Sequence, residues 1–330
     1  MAAEDSLTTL AAVLAGPGRS GRERARGVLA EGRLPQKLLT EAAQLLQEAT
    51  KHGFCYLPAT NPHFPPALAA LADPPLGLFV RGNIPEAPAV AIVGSRRASA
   101  YGKEVAYYLG KELAAAGACV VSGMARGVDT AAHRGALASG GPTVAVWGCG
   151  PDRVYPPENR ELAEAIASHG ALVTEYPPGT PPRPENFPER NRLIAGLARV
   201  LVVVEAHGRS GALLSAKLAL EEGREVMAVP GSVFSPLSVG PNGLLRAGAA
   251  PVLCAQDVLD VLGLAGSTSP PQRKQDEQGL LRFFPQGISL SVDELAARTG
   301  LPIQTLLQEI LTLELAGTLV REPDGRLRRA

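Results

Sequence analysis

The sequence predicts an α/β fold: a doubly wound, mostly parallel sheet, preceded by a small helical region and followed by a compact helix-and-hairpin module. Three observations lead there. Between about Ala87 and Leu264, short β-branched and apolar runs alternate with stretches of helical periodicity. Such alternation implies parallel strands joined by helices that cover both faces of the sheet, a Rossmann-like core. Residues 266–278 are rich in Ser, Pro and Gln without periodicity and read as a linker. Finally, 330 residues suffice for two or three domains with at least one full core. The predicted organisation is a helical region over 1–53, the core over 54–265, the linker over 266–278 and a winged helix over 279–330.

In the first region Leu7, Leu10, Val13 and Leu14 recur at helical spacing. Gly16-Pro-Gly-Arg-Ser-Gly21 breaks that pattern and resembles the turn of a helix-hairpin-helix motif. The proline-rich segment from Tyr56 to Ile84 is expected to wrap the core as an extended lead-in. Strands are predicted at Ala89–Gly94, Ala118–Ser122, Thr143–Trp147, Ala171–Thr174, Val200–Val204 and Val226–Val229. Helices are predicted at Tyr101–Ala116, Val128–Ala138, Glu158–Ser168, Phe187–Leu197 and Ala212–Glu222. Beyond the linker, Gly279–Phe284, Ser291–Thr299 and Pro302–Ala316 have helical character, with Ser291 and Glu294 spaced as a capping box. Thr318–Arg321, the turn Glu322-Pro-Asp-Gly325 and Arg326–Arg329 read as a hairpin. Three helices and a hairpin make a winged helix, a fold that often binds DNA.

Composition narrows the function classes. Hydrophobic content of 45% with 19% charged residues is ordinary for a soluble globular protein. No apolar run approaches the roughly twenty residues that span a bilayer. The first residues include Glu4 and Asp5 and lack a basic-then-apolar signal, so a cytoplasmic protein is expected. Cys55, Cys119, Cys149 and Cys254 are scattered without a CxxC, which suits reduced thiols and argues against a zinc site. Net charge is zero, so there is no global basic field. Locally, Gly16–Arg33 holds five arginines against Glu23 and Glu31, and Arg321–Ala330 holds four against Glu322 and Asp324. Such clusters are solvated faces or partner surfaces.

Open α/β sheets bind ligands beyond the C-terminal ends of their strands. The first such loop, Ile92-Val-Gly-Ser-Arg-Arg97, lacks GxGxxG spacing and an acidic residue closing the next strand, so no dinucleotide cofactor is expected. Gly94, Ser95, Arg96 and Arg97 instead suit a phosphate. In the second loop Gly123 and Gly127 expose backbone N–H groups and Arg126 projects from the turn. Asp129 is expected to be structural, and His133, one helical turn on, is either its acid–base partner or a packing residue. No nucleophile accompanies the pair in sequence, and no catalytic residue is assigned. In the third loop Tyr155 offers a stacking face and Asn159 a phosphate or ribose contact. The fourth, Asn186-Phe-Pro-Glu-Arg-Asn-Arg192, sets Phe187, Arg190, Asn191 and Arg192 at a helix start, where unpaired N–H groups favour anions. The fifth contributes Arg209, Ser210 and Gly211.

These motifs together resemble the DNA-processing protein A family, also called Smf. The resemblance runs in order and spacing from about residue 55 to 262, through Ile92–Arg96, Ser122–His133, Tyr155-Pro, Phe187–Arg192, Glu205–Gly211 and Val229-Pro-Gly231. It implies a core that binds and protects single-stranded DNA without sequence preference and helps load the RecA recombinase in natural transformation. It also implies a homodimer, no reaction catalysed, and DNA contacts from Gly94, Ser95, Arg96, Arg126, Phe187, Arg190, Asn191 and Arg192. Leu244 and Leu245 fall where the family places a dimer contact near the RecA surface; otherwise they pack inward. Two positions depart from the common pattern: Arg126 stands where many members carry Lys, and Pro157 leaves the Tyr-Pro turn without a basic neighbour. An alternative is a phosphoribohydrolase on a related core, but Gly208-Arg-Ser-Gly-Ala-Leu213 lacks that group's Pro-Gly-Gly-x-Gly-Thr loop. A third reading, a winged-helix regulator with a ligand-sensing core, would require sequence-specific duplex binding. The expected recognition helix, however, carries Gln304, Thr305, Gln308, Glu309 and Glu314 and no Lys or Arg.

Overall fold

The computed structural model describes residues 18–31, 35–265, 280–284, 289–322 and 324–329. The Leu7–Leu14 pattern and the linker over 266–278 lie outside them. The chain forms two compact units, Met1–Pro270 and Pro271–Ala330.

The first unit opens with α1 (Gly18–Glu31) and α2 (Gln36–Lys51). The expected turn at Gly18–Gly21 is instead the first turn of α1. Glycine there costs helix propensity, but tertiary attachment overrides it: Arg22, on the following turn, is ion-paired to Asp73. The proline-rich lead-in is also more regular than expected. It forms β1 (Cys55–Pro58), a one-turn helix α3 (Pro66–Ala69) and β2 (Gly77–Gly82). β1 pairs antiparallel with β2, Cys55 opposite Val80 and Pro58 opposite Gly77. A proline is tolerated on an outermost strand, where one edge needs no N–H donor.

The core then alternates as predicted: β3 (Ala89–Val93), α4 (Ala100–Ala115), β4 (Cys119–Ser122), α5 (Val128–Ala138), β5 (Thr143–Val146), α6 (Arg160–His169) and β6 (Ala171–Thr174). It continues with α7 (Asn186–Leu197), β7 (Val200–Val203), α8 (Gly211–Glu221), β8 (Glu225–Ala228), α9 (Val239–Arg246), β9 (Ala250–Pro251) and α10 (Ala255–Leu262). The sheet has the order β1-β2-β6-β5-β4-β3-β7-β8-β9. From β6 to β9 every pair is parallel, and β2 joins β6 antiparallel. Side chains alternate across it with period two. Ala91, Val93, Leu201 and Val203 face α7 and α8, whereas Val90, Ile92, Val200 and Val202 face α4, α5 and α10.

Strand order reverses at β3. The chain proceeds outward through β4, β5 and β6, then returns to β7 on the other side of β3. The loops after β3 and β7 therefore diverge and leave a crevice at the C-terminal edge, where open α/β sheets bind ligands.

The second unit comprises a short 3-10 helix at Leu280–Phe283, β10 (Ser289–Leu290), α11 (Val292–Thr299), α12 (Ile303–Leu315), β11 (Leu319–Arg321) and β12 (Leu327–Arg329). Its sheet runs β10-β12-β11, antiparallel throughout. The capping box forms: Ser291 Oγ accepts from Glu294 N (3.1 Å), and the Glu294 carboxylate accepts from Ser291 N (2.8 Å). Phe284, Leu295, Leu306, Ile310 and Leu327 fill its core. This is a winged helix. Among the described residues, no helix is long and apolar enough to cross a membrane.

Candidate nucleic-acid interface

Three loops at the crevice are tied together by backbone hydrogen bonds. Ser95 N donates to the carbonyl of Glu205 (2.6 Å), and Val128 N donates to the carbonyl of Ser95 (3.2 Å). Gly127 has φ +77°, and a Cβ there would collide with the Ser95 carbonyl. The Glu205 carboxylate, 4% exposed, accepts from Ser99 N (2.9 Å) and Ser99 Oγ (2.6 Å), fixing the start of α4. Gly94 is needed for packing, since a Cβ would strike Val128 and the Glu205 backbone.

The second loop is held from inside. The Asp129 carboxylate accepts from Gly123 N (3.1 Å) and Ala125 N (3.3 Å) while Met124 between them takes φ +55°. Burial pushes Asp129 above the usual carboxylate pKa, against the opposing pull of Arg190 and those N–H groups. Asn159 is buried and donates to the Met124 carbonyl (3.0 Å) and Thr130 Oγ1 (2.8 Å). It thus braces this turn, and both of its amide N–H groups are engaged within the protein. Arg126, on the same turn, is exposed and pairs with Glu158.

α7 sorts its residues by face. Phe187, Arg190, Asn191 and Ile194 follow i, i+3, i+4, i+7 spacing and all line the crevice. Arg192 lies about 200° around the helix from Arg190 at 100° per residue. Its guanidinium is buried away from the crevice, ion-paired with Glu175 and donating to the Asp73 carbonyl (3.0 Å). Arg22 joins the same cluster through Asp73, Glu175 and Glu189. Burial opposes the charge on Arg22, but the Asp73 hydrogen bond and neighbouring glutamates hold its pKa above the ordinary value. Arg192 therefore shares the acidic partners through which Arg22 holds the N-terminal helix to the core, and it lies outside the crevice lining where a phosphate contact was expected of it.

Two adjoining chambers result. The larger, ≈ 500 Å³, spans Gly94, Ser95 and Arg96 on one wall and His207, Ser210 and Gly211 on the other. The smaller, ≈ 170 Å³, reaches under Arg97, Gly123 and Arg126 to Trp147, Gly148 and Cys149. Arg96, Tyr155, Phe187 and Arg190 line both. The Arg96 guanidinium lies 4.6 Å from the Phe187 ring centroid, and Tyr155 packs on that ring at 5.6 Å. Ser210 caps α8 by accepting from Leu213 N (3.4 Å), and Asn191 donates to the Gly211 carbonyl (3.2 Å). Arg209 is exposed and, like Gly127 and Asn159, lies outside both linings. His207, on the same loop as Ser210, lines the larger chamber and Trp147 the smaller, and no local signal in the sequence marks either residue.

His133 is a core residue. Thr143 Oγ1 donates to the Val120 carbonyl (2.7 Å), so it accepts from His133 Nδ1–H (2.7 Å), and Nε2 is left buried without a partner. Burial, then the charge of Arg190, lowers its pKa from 6.5 to about 3. The unfolded chain therefore binds a proton that the folded chain refuses between these values, and stability falls as pH drops below 6.5. Between pH 6.5 and 5, above most carboxylate titration, the loss is expected to approach about 1.4 kcal/mol per pH unit. Urea denaturation across that range checks it, and His133→Gln should flatten the slope; an equal slope in the folded variant would assign the effect elsewhere.

Residues 56–263 match the family model described as DNA recombination-mediator protein A, and residues 265–325 match the DprA winged helix domain. Protein Smf of Escherichia coli (strain K12) is 38% identical over 312 residues, covering 90% of this chain and 83% of that protein. A putative DNA processing protein DprA of Mycobacterium tuberculosis (strain ATCC 25618 / H37Rv) is 45% identical over 249 residues, 73% of this chain and 64% of its own. Among solved structures, DprA from Streptococcus pneumoniae superposes with TM-score 0.62 at 34% identity, covering 81% of this chain and 96% of that one. DNA processing protein A from Helicobacter pylori, solved for its single-stranded DNA binding mode, gives TM-score 0.57 at 33% identity, covering 64% and 97%. A core model matched over more than half the chain, followed by the family's own winged helix, means that this chain belongs to the DNA recombination-mediator protein A (DprA/Smf) family.

Proposed function

We propose that this protein binds and protects single-stranded DNA independently of overall sequence, and loads the RecA recombinase onto it during natural transformation, in the cytoplasm and as a homodimer. The observation that supports it best is the crevice at the strand-order reversal. There Arg96, Arg97 and Arg190 have no carboxylate within 4.0 Å among the described residues, beside the Phe187–Tyr155 aromatic pair. Arginines neutralise successive phosphates, and the rings offer sequence-tolerant stacking. A binding role rather than an enzymatic one fits the engagement of Asp129 and His133 in core hydrogen bonds.

The winged helix reads as a protein-contact or modulating module. α12 exposes Ile303, Leu307, Leu311 and Leu315 where a duplex-reading helix needs cations. The hairpin arginines are paired: Arg321 with Glu314, Arg326 with Glu294 and Arg328 with Glu322. A gel shift with arbitrary single- and double-stranded oligonucleotides tests the whole reading. Single strands should be preferred, a chain ending at Leu264 should keep most of the affinity, and Arg96→Ala should reduce the salt slope by about 0.7. Preference for one duplex sequence, or loss of nearly all binding in the folded truncated chain, would sink it. Assaying AMP cleavage on the same preparation separates the phosphoribohydrolase alternative.

For self-association, Leu244 packs against the core while Leu245 is half-buried on α9. Beside α9, the loop carrying Val233 (82% exposed) and Phe234 (93% exposed) is tied down by Asn242 Nδ2 donating to the Gly231 carbonyl (3.0 Å). A loop anchored at its base and displaying bare apolar side chains suits an interface. Leu245→Glu is expected to yield a folded monomer by light scattering; an intact dimer would move the contact elsewhere.

A further inference from the structure

α4 leaves the crevice just after Arg96 and Arg97 and runs back across one face of the sheet, away from the strands' C-terminal edge. Residues four apart on a helix form a row. One row of α4 holds Lys103, Tyr107 and Lys111, all exposed, with the two lysines about 12 Å apart along the axis. Tyr107 is 42% exposed, a large share for an aromatic side chain in the middle of a helix. The next row holds Glu104, Tyr108 and Glu112 and turns toward α10, where Tyr108 Oη accepts from Ala255 N (3.4 Å). On the opposite flank α5 crosses so closely that a Cβ on Gly135 would strike the Tyr107 carbonyl, and Arg134, one residue earlier, is exposed. No carboxylate lies within 4.0 Å of Lys103, Lys111 or Arg134 among the described residues.

We propose that this row is a second contact surface for single-stranded DNA, carrying the strand onward after it leaves the crevice past Arg97. The three cations neutralise phosphates, and Tyr107 gives one base a stacking face. The adjoining acids set the width of the track. Glu104 and Glu112 repel a second phosphate chain, so the row admits one strand and disfavours a duplex. The inference rests on the single-strand reading above and extends the contact beyond the crevice.

Salt titrations by fluorescence anisotropy on the full chain test this with oligothymidylates of about 6 and about 25 nucleotides. The combined variant Lys103→Ala, Lys111→Ala, Arg134→Ala is expected to bind the longer strand about 10-fold more weakly, with a salt slope reduced by about 2, and to hold the shorter strand as before. Tyr107→Ala should weaken the longer strand about 5-fold with its slope unchanged, and Tyr107→Phe should restore it. Unchanged long-strand affinity in the triple variant overturns the track while leaving single-strand binding intact. An equal loss for both lengths would assign the cations to a general field and also overturn it, as would an equal loss for a duplex of the longer length. Failure of the unaltered protein to bind either strand overturns the single-strand reading itself.

Discussion

Arg192→Ala is expected to lower folding stability by roughly 3–5 kcal/mol and to leave the salt slope of DNA binding unchanged in the protein that remains folded. Its guanidinium is buried, paired with Glu175 and bonded to the Asp73 carbonyl, so alanine removes both interactions and leaves a part-buried carboxylate behind. Among the described residues Glu175 would keep only Arg22, whose Nη1 is 4.0 Å away, which places the loss toward the lower end of that range. Urea denaturation and a salt titration on the same variant check both halves. Near-native stability with a flattened slope would return Arg192 to the crevice.

Phe187→Ala is expected to weaken single-strand binding by about 1–3 kcal/mol, roughly 5- to 150-fold. The ring carries the Arg96 guanidinium on one side and packs with Tyr155, so its loss removes a stacking face and unseats a phosphate-binding cation together. Phe187→Trp should recover much of the affinity, because any base can stack on either ring. Binding within twofold of the unaltered protein would place the bases elsewhere.

The parallel core was legible because runs such as Val200–Val203 and Ala89–Val93 are β-branched, apolar and separated by helical periods. β1 and β2 escaped notice because Pro58, Pro65, Pro66, Pro74 and Pro75 dominate their surroundings, and an edge strand tolerates what a central one does not. Within Arg190-Asn-Arg192 the sequence displays two similar cations two residues apart. Only helical phase separates them, and that phase was available from Phe187, Arg190, Asn191 and Ile194. The Arg22–Asp73 bond joins residues 51 apart and has no local signal. Asn159 looked like a free amide at a helix start, and its burial under Met124 depends on a backbone conformation that composition does not reveal.

The backbone ties among the loops after β3, β4 and β7 bear on the time course of DNA capture. A site whose segments are already ordered has little chain entropy left to lose when a ligand arrives. Encounter should then be governed by diffusion and by attraction between the rim arginines and the strand, and so quicken as ionic strength falls. Stopped-flow traces should show one bimolecular phase whose rate grows in proportion to oligonucleotide concentration, without a plateau set by a slow opening step.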